Sequence, residues 1–152
     1  MNKTKSMWSS IRKVILVVNF TNLDELTKLR ESIKKVGLNI HECVILCNVS
    51  DRKEKNILRE KNSVVFLNEK EINFFGRIKN VEAIKLFTRK FDLMLVIEDL
   101  PKKIEKQITK LNVKMKVGVN TQNANLAIRL NSNSKSQIHL LEFVKETLEK
   151  IN

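Results

Sequence analysis

Short runs of β-branched and aliphatic residues alternate along the chain with longer stretches whose apolar positions recur every three or four residues. "KVILVVNF" (13–20) is apolar through Val18, as expected of a strand buried on both faces. In 21–37, Leu23, Leu26, Leu29, Ile33 and Val36 fall at helical spacing. Asn22 or Thr21 supplies an N-cap there, acids occupy the first turn, and lysines and Gly37 mark the end. "ECVILCNV" (42–49), "SVVFL" (63–67) and "FDLMLVIE" (91–98) read as further buried strands, followed by "VKMKVGV" (113–119) and a short sixth, "LAIRL" (126–130). The charged segment 51–60 leads into the third strand. Helices are predicted over 80–90, capped by Asn80, over 101–112, opened by Pro101, and over 137–151. This alternation predicts an α/β, Rossmann-like three-layer domain, with a mainly parallel sheet of five or six strands and right-handed crossovers.

One strand breaks the pattern. In 113–117, Val113, Met115 and Val117 point one way and Lys114 and Lys116 the other, which places this strand near an edge or with one open face.

The length of 152 residues suits one domain, with 42% hydrophobic and 30% charged residues. Residues 1–12 read as a basic N-terminal arm carrying Lys3, Lys5, Arg12 and the aromatic Trp8, and 13–152 as the domain. The apolar patch behind the basic start is too short for a secretory leader, and no run approaches the ~20 residues that span a bilayer. A cytoplasmic protein is expected, with no membrane partner. Lys and Arg number 29 against 17 Asp and Glu, a net charge of +12. Such a field attracts polyanions, although a lysine-rich solvated surface produces the same total.

Several chemistries lack their residues. The first strand ends in Asn19-Phe20-Thr21-Asn22 with no glycine, and Gly37, Gly76 and Gly118 lie too far apart to cradle a phosphate. The same loop lacks the carboxylates of a phosphoacceptor domain. Cys43 and Cys47 sit four apart on one strand, roughly 13 Å at ~3.3 Å per residue, too far for a disulfide or a shared zinc. His41 and His139 complete no metal set or triad. No catalytic residue, metal or cofactor is expected. Open parallel sheets bind ligands beyond their carboxyl ends, so the possible ligand edge is Asn19, Glu98, Asp99 and Asn120, although acids at 98 and 99 also serve as caps.

Phe75, Gly76, Ile78, Lys79 and Asn80, then Phe91 and Asp92, then Lys116, Val117 and Gly118, resemble the recurring motifs of a bacterial family of small proteins of unknown function. The resemblance covers most of the chain after residue 13 and implies a fold without an activity. The order of strand, helix and Lys-x-Gly strand is also similar to the N-terminal half of heptosyltransferase-type glycosyltransferases, two-domain enzymes from which this sequence departs in the first loop and the fourth strand's acidic segment.

"FFGRIKN" (74–80) concentrates two aromatics, a glycine and two basic residues. It reads as a turn at Gly76 with Phe74 and Phe75 packed under the sheet, as an RNA contact, or as a protein anchor. Residues 77–116 carry eleven basic side chains against five acidic ones. Arg77, Lys79, Arg89, Lys90, Lys102, Lys103, Lys114 and Lys116 are therefore the candidate nucleic-acid contacts, for structured RNA or a ribosomal surface. A glycosyltransferase-like domain binding a small anion at the strand ends, and a protein-interaction domain, are the alternatives.

Overall fold

The middle of each central strand is apolar on both faces, with polar side chains only toward the strand ends, and the fold follows from that. In the computed structural model, which describes residues 8–36, 42–50, 64–123, 126–132 and 137–151, the sheet is built from β1 (Lys13–Asn19), β2 (Glu42–Asn48), β3 (Val64–Leu67), β4 (Lys90–Ile97), β5 (Asn112–Val119) and β6 (Ile128–Leu130). The helices are α1 (Leu23–Val36), α2 (Val81–Leu86), α3 (Lys102–Ile108) and α4 (Gln137–Glu149), with 3-10 turns at Trp8–Ser10 and Glu69–Glu71. The strands run in the order β3-β2-β1-β4-β5-β6, and every pairing is parallel. This is a six-stranded Rossmann-like sheet.

Period-two alternation divides the core into two layers. Val14, Leu16, Val18, Ile45, Leu93, Leu95 and Val117 point to one face, where they meet Leu26, Leu29 and Ile33 of α1 and Leu141, Val144 and Leu148 of α4. Ile15, Val17, Val44, Leu46, Met94 and Val96 point to the other, against Ala83 and Leu86 of α2 and Ile104 and Ile108 of α3. Burying one such aliphatic side chain contributes about 1.5–3 kcal/mol, so the layers dominate stability.

Two residues of the 1–12 segment that the sequence assigns to an arm pack into the core. Trp8 and Ile11 are buried, and both join the α1–α4 layer. Trp8 closes the layer below Val14 and Leu16, so its ring is core rather than a free aromatic of the arm; Lys3 and Lys5 lie outside the described residues. Helix α2 stops early, at Leu86 instead of 90. Phe87 forms its C-cap, with its N–H donating to the Ile84 carbonyl at 3.1 Å, and the Thr88 hydroxyl donates to the Lys85 carbonyl at 2.7 Å.

β5 is paired on both sides, yet β6 covers only Val117–Val119. Its first half therefore keeps an open edge, which accommodates the two lysines. Lys116 Nζ donates to the Thr109 carbonyl at 3.0 Å and caps the end of α3. Further along, a β-carbon on Gly118 would stand 2.4 Å from Leu126 Cδ1 and from Thr121 Cγ2, both on buried residues. Gly118 is thus fixed by close packing of the loop that leads to β6.

Asp92 fastens the start of the central strand. Its Oδ2 accepts the backbone N–H groups of Arg12 and Lys13, each at 2.9 Å, and its other oxygen lies 3.6 Å from Lys114 Nζ. Partial desolvation raises its pKa, but the two amides and the Lys114 ammonium together outweigh that and hold the carboxyl below its usual 3.8.

Two outcomes are expected. Gly118→Ala loses about 1–3 kcal/mol in urea unfolding, because neither Leu126 nor Thr121 has room to withdraw. Asp92→Ala loses on the order of 1 kcal/mol at neutral pH. Because the folded pKa is depressed, Asp92 stabilises fully above its unfolded value. That contribution is lost progressively as pH falls below 3.8 and through the folded value, so variant and parent converge in acid unfolding over that range.

Candidate functional site

Two places on the fold carry the residues singled out by sequence. The first is the carboxyl edge of the sheet, where the order reverses between β1 and β4. The second is the turn at 73–79.

At the carboxyl edge, asparagines tie the strand ends to one another. Asn19 Nδ2 donates to the Asp99 carbonyl at 2.8 Å, and Asn48 Nδ2 to Asn19 Oδ1 at 2.9 Å. One strand further out, Asn68 Nδ2 donates to the Val49 carbonyl at 2.7 Å. Asn120 exchanges two bonds with the backbone of Ser132, at 3.0 and 2.8 Å. Asp99 Oδ1 accepts from the Gln122 amide at 2.8 Å and the Thr121 hydroxyl at 2.9 Å. The amide and then the hydroxyl lower its pKa. Asp99 therefore braces the loop after β5, and the helix-capping role expected for it does not occur, since α3 opens on Pro101 with no side-chain cap. Glu98 and Asn120, the residues directly after β4 and β5, adopt left-handed backbone at φ 66° and 54°. Of the ligand-edge candidates, Asn19, Asp99 and Asn120 are engaged in this lattice, and Glu98 projects outward, exposed.

The turn is a rigid small loop. Asn73 Oδ1 accepts the amides of Phe75 and Arg77, both at 2.9 Å, while its backbone exchanges bonds with Gly76 and Arg77. Ile72 and Ile78 bridge across the base, and Gly76 takes φ 77°, a conformation that suits glycine. From the neighbouring α3, the buried Gln107 donates its side-chain amide to the Gly76 carbonyl. Asn80 closes the loop by accepting from the Ala83 amide at 3.2 Å, the cap foreseen for α2.

The two phenylalanines do not pack under the sheet. Phe74 is 95% exposed and Phe75 85%, with their rings edge-to-face at 5.7 Å and 86°. The turn's hydrogen bonds direct both side chains away from the core, whose places are taken by Ile72, Leu67 and Leu86. Val81 and Ile84, 64% and 45% exposed, follow on α2. Arg77 and Lys79 are exposed on the turn, and the Lys110 ammonium comes to 4.0 Å of where a β-carbon on Gly76 would sit.

The basic candidates do not share one face. Lys90 opens β4, whereas Lys102 and Lys103 follow its opposite end. At the amino edge, Arg89 pairs with Glu42 and stacks 5.3 Å over the Phe91 ring, and Lys114 pairs with Asp92. Lys116 is spent on the α3 terminus. Lys103 lies one turn before Gln107 on α3 and is exposed. The structure thus keeps Arg77 and Lys79 together on the turn and brings Lys110 and Gln107 to it, which periodicity alone did not single out because their role depends on tertiary approach. Among the described residues, no three His, Cys, Asp or Glu side chains gather as a metal site requires, and no helix is long and apolar enough to cross a membrane.

A family model described as "Family of unknown function (DUF6913)" matches residues 1–151, so the chain belongs to that family. No curated protein matches it in sequence. Among solved structures it is similar to the E. coli heptosyltransferase WaaC with ADP, at a TM-score of 0.57 and 10% identity, over 91% of this chain and 48% of that one. The chain spans about half the length of that enzyme, and at this identity the likeness is one of fold.

The cysteines stand apart from both places. Burial pushes the thiols of Cys43 and Cys47 up to about 12, against an ordinary 9.0. Thiolate is therefore scarce at neutral pH. Neither is expected to react appreciably with a thiol-specific disulfide reagent at pH 8 within minutes, while both react at once in denaturant.

Proposed function

We propose that this member of the DUF6913 family is a basic binding module for RNA or a ribonucleoprotein surface in the cytoplasm, and that the turn at 73–79 is its contact. The observation that carries the reading is the pair of solvated phenylalanines on a loop braced by Asn73 and Gln107, with Arg77, Lys79 and Lys110 around it. Large apolar side chains are rarely held in water by so many hydrogen bonds unless they meet something. Rings flanked by cations match nucleic acid, in which bases stack and phosphates pair. The net charge of +12 supplies the long-range attraction.

The contact is narrower than the eight basic residues of the sequence reading. Lys114, Lys116 and Arg89 have structural partners, so Arg77 and Lys79 carry the interaction with help from α3. A second reading, a small anion at the carboxyl edge near Asn19, Glu98 and Asn120, is favoured by the fold shared with an enzyme that holds ADP. Against it, the asparagine lattice consumes the donors such an anion needs.

Filter binding of total cellular RNA tests the first reading. Arg77→Glu combined with Lys79→Glu is expected to lower affinity at least tenfold at 0.1 M salt, and the parent affinity to fall steeply as salt rises. Lys114→Glu is expected to change it little. Undiminished binding by the double variant overturns the assignment.

A further inference from the structure

We infer that the RNA taken at this turn is a sharply bent single strand, with adjacent bases on Phe74 and Phe75 set close to perpendicular. This rests on the RNA reading above and adds the form of the ligand. The two rings meet at 86°, edge to face, and both stand almost wholly in solvent. Each therefore offers an open face, and the two open faces point in directions about a right angle apart. Consecutive bases of a duplex are parallel, so a duplex engages one ring at most. An unpaired strand rotates about its backbone and satisfies both.

The cations lie where the backbone of such a strand has to run. Arg77 follows the two rings directly, across the left-handed Gly76. Behind the turn, Gln107 of α3 and Lys110 just past its end approach Gly76, and Lys103 lies one helical turn before Gln107. Gln107 grips the Gly76 carbonyl, and a lysine stands on either side of it. Sequence preference is weak in this arrangement, since every base has a face to stack and no side chain here is aimed at a base edge.

The test uses the full chain with a short oligouridine carrying two adjacent 2-aminopurines, and a blunt RNA hairpin of equal length. Parallel stacking of the two 2-aminopurines gives a coupled circular-dichroism band. Binding is expected to abolish that band, to favour the single strand over the hairpin by at least tenfold, and to weaken by roughly tenfold with either Phe74→Leu or Phe75→Leu. Leucine keeps an apolar side chain without a ring, and both positions are exposed, so folding is unaffected. Equal affinity for the hairpin, a persistent band, or full affinity in the leucine variants overturns the bent-strand inference while leaving RNA binding in place. Failure of the parent protein to bind either RNA overturns both, and a protein captured through Phe74 and Phe75 in that case assigns the turn to a protein partner.

Discussion

A strand hidden on both faces and paired on both edges has no contact with water, and β1 is that strand. Val14–Val18 are buried, β2 and β4 flank them, and α1 and α4 cover one side while α2 and α3 cover the other. Parallel neighbours on both edges require crossovers that pass over opposite faces, and with right-handed connections this forces the order of strands to reverse beside β1. The reversal in turn creates the crevice between the ends of β1 and β4 that other proteins of this architecture use for ligands.

Here the crevice is occupied by the chain's own amides. Where a nucleotide-binding sheet places glycines and leaves backbone N–H groups free, this one ends β1 and β2 in asparagine and follows β3 and β5 with it, and the side chains bond across to neighbouring segments. Such a lattice satisfies carbonyls that would otherwise face solvent at the end of the ladder. It is also neutral. The features that do face outward, unpaired and rigid, have moved sideways to the loop before α2, beyond the end of the edge strand.

Sequence periodicity resolved the architecture because burial on both faces writes itself as uninterrupted apolar runs, and four strands here have them. It resolved local backbone chemistry equally well. Gly76 is left-handed and Asn80 caps its helix, both consequences of residue type. What it misjudged are the destinations of single aromatic side chains. Trp8 sits among serines behind a basic start and yet is core, while Phe74 and Phe75 form an apolar pair between Asn73 and Gly76 and yet are in water. Hydrophobicity states that a ring gains from burial; whether a cavity exists for it depends on contacts from distant segments, α4 for Trp8 and α3 for the turn. The charge pairs were hidden for the same reason. Arg89 and Glu42, or Lys114 and Asp92, become neighbours only through strand pairing.

The Asp92 clasp bears on the order in which the molecule is completed during synthesis. β1 leaves the ribosome before β4, and the carboxylate that fixes its opening residues follows 79 and 80 positions later. Until β4 emerges, the most apolar stretch of the chain has at best one companion strand and an uncovered flank. The nascent polypeptide therefore carries its future centre without that clasp until β4 has been made, a stage at which uncovered apolar strands are prone to wrong pairings.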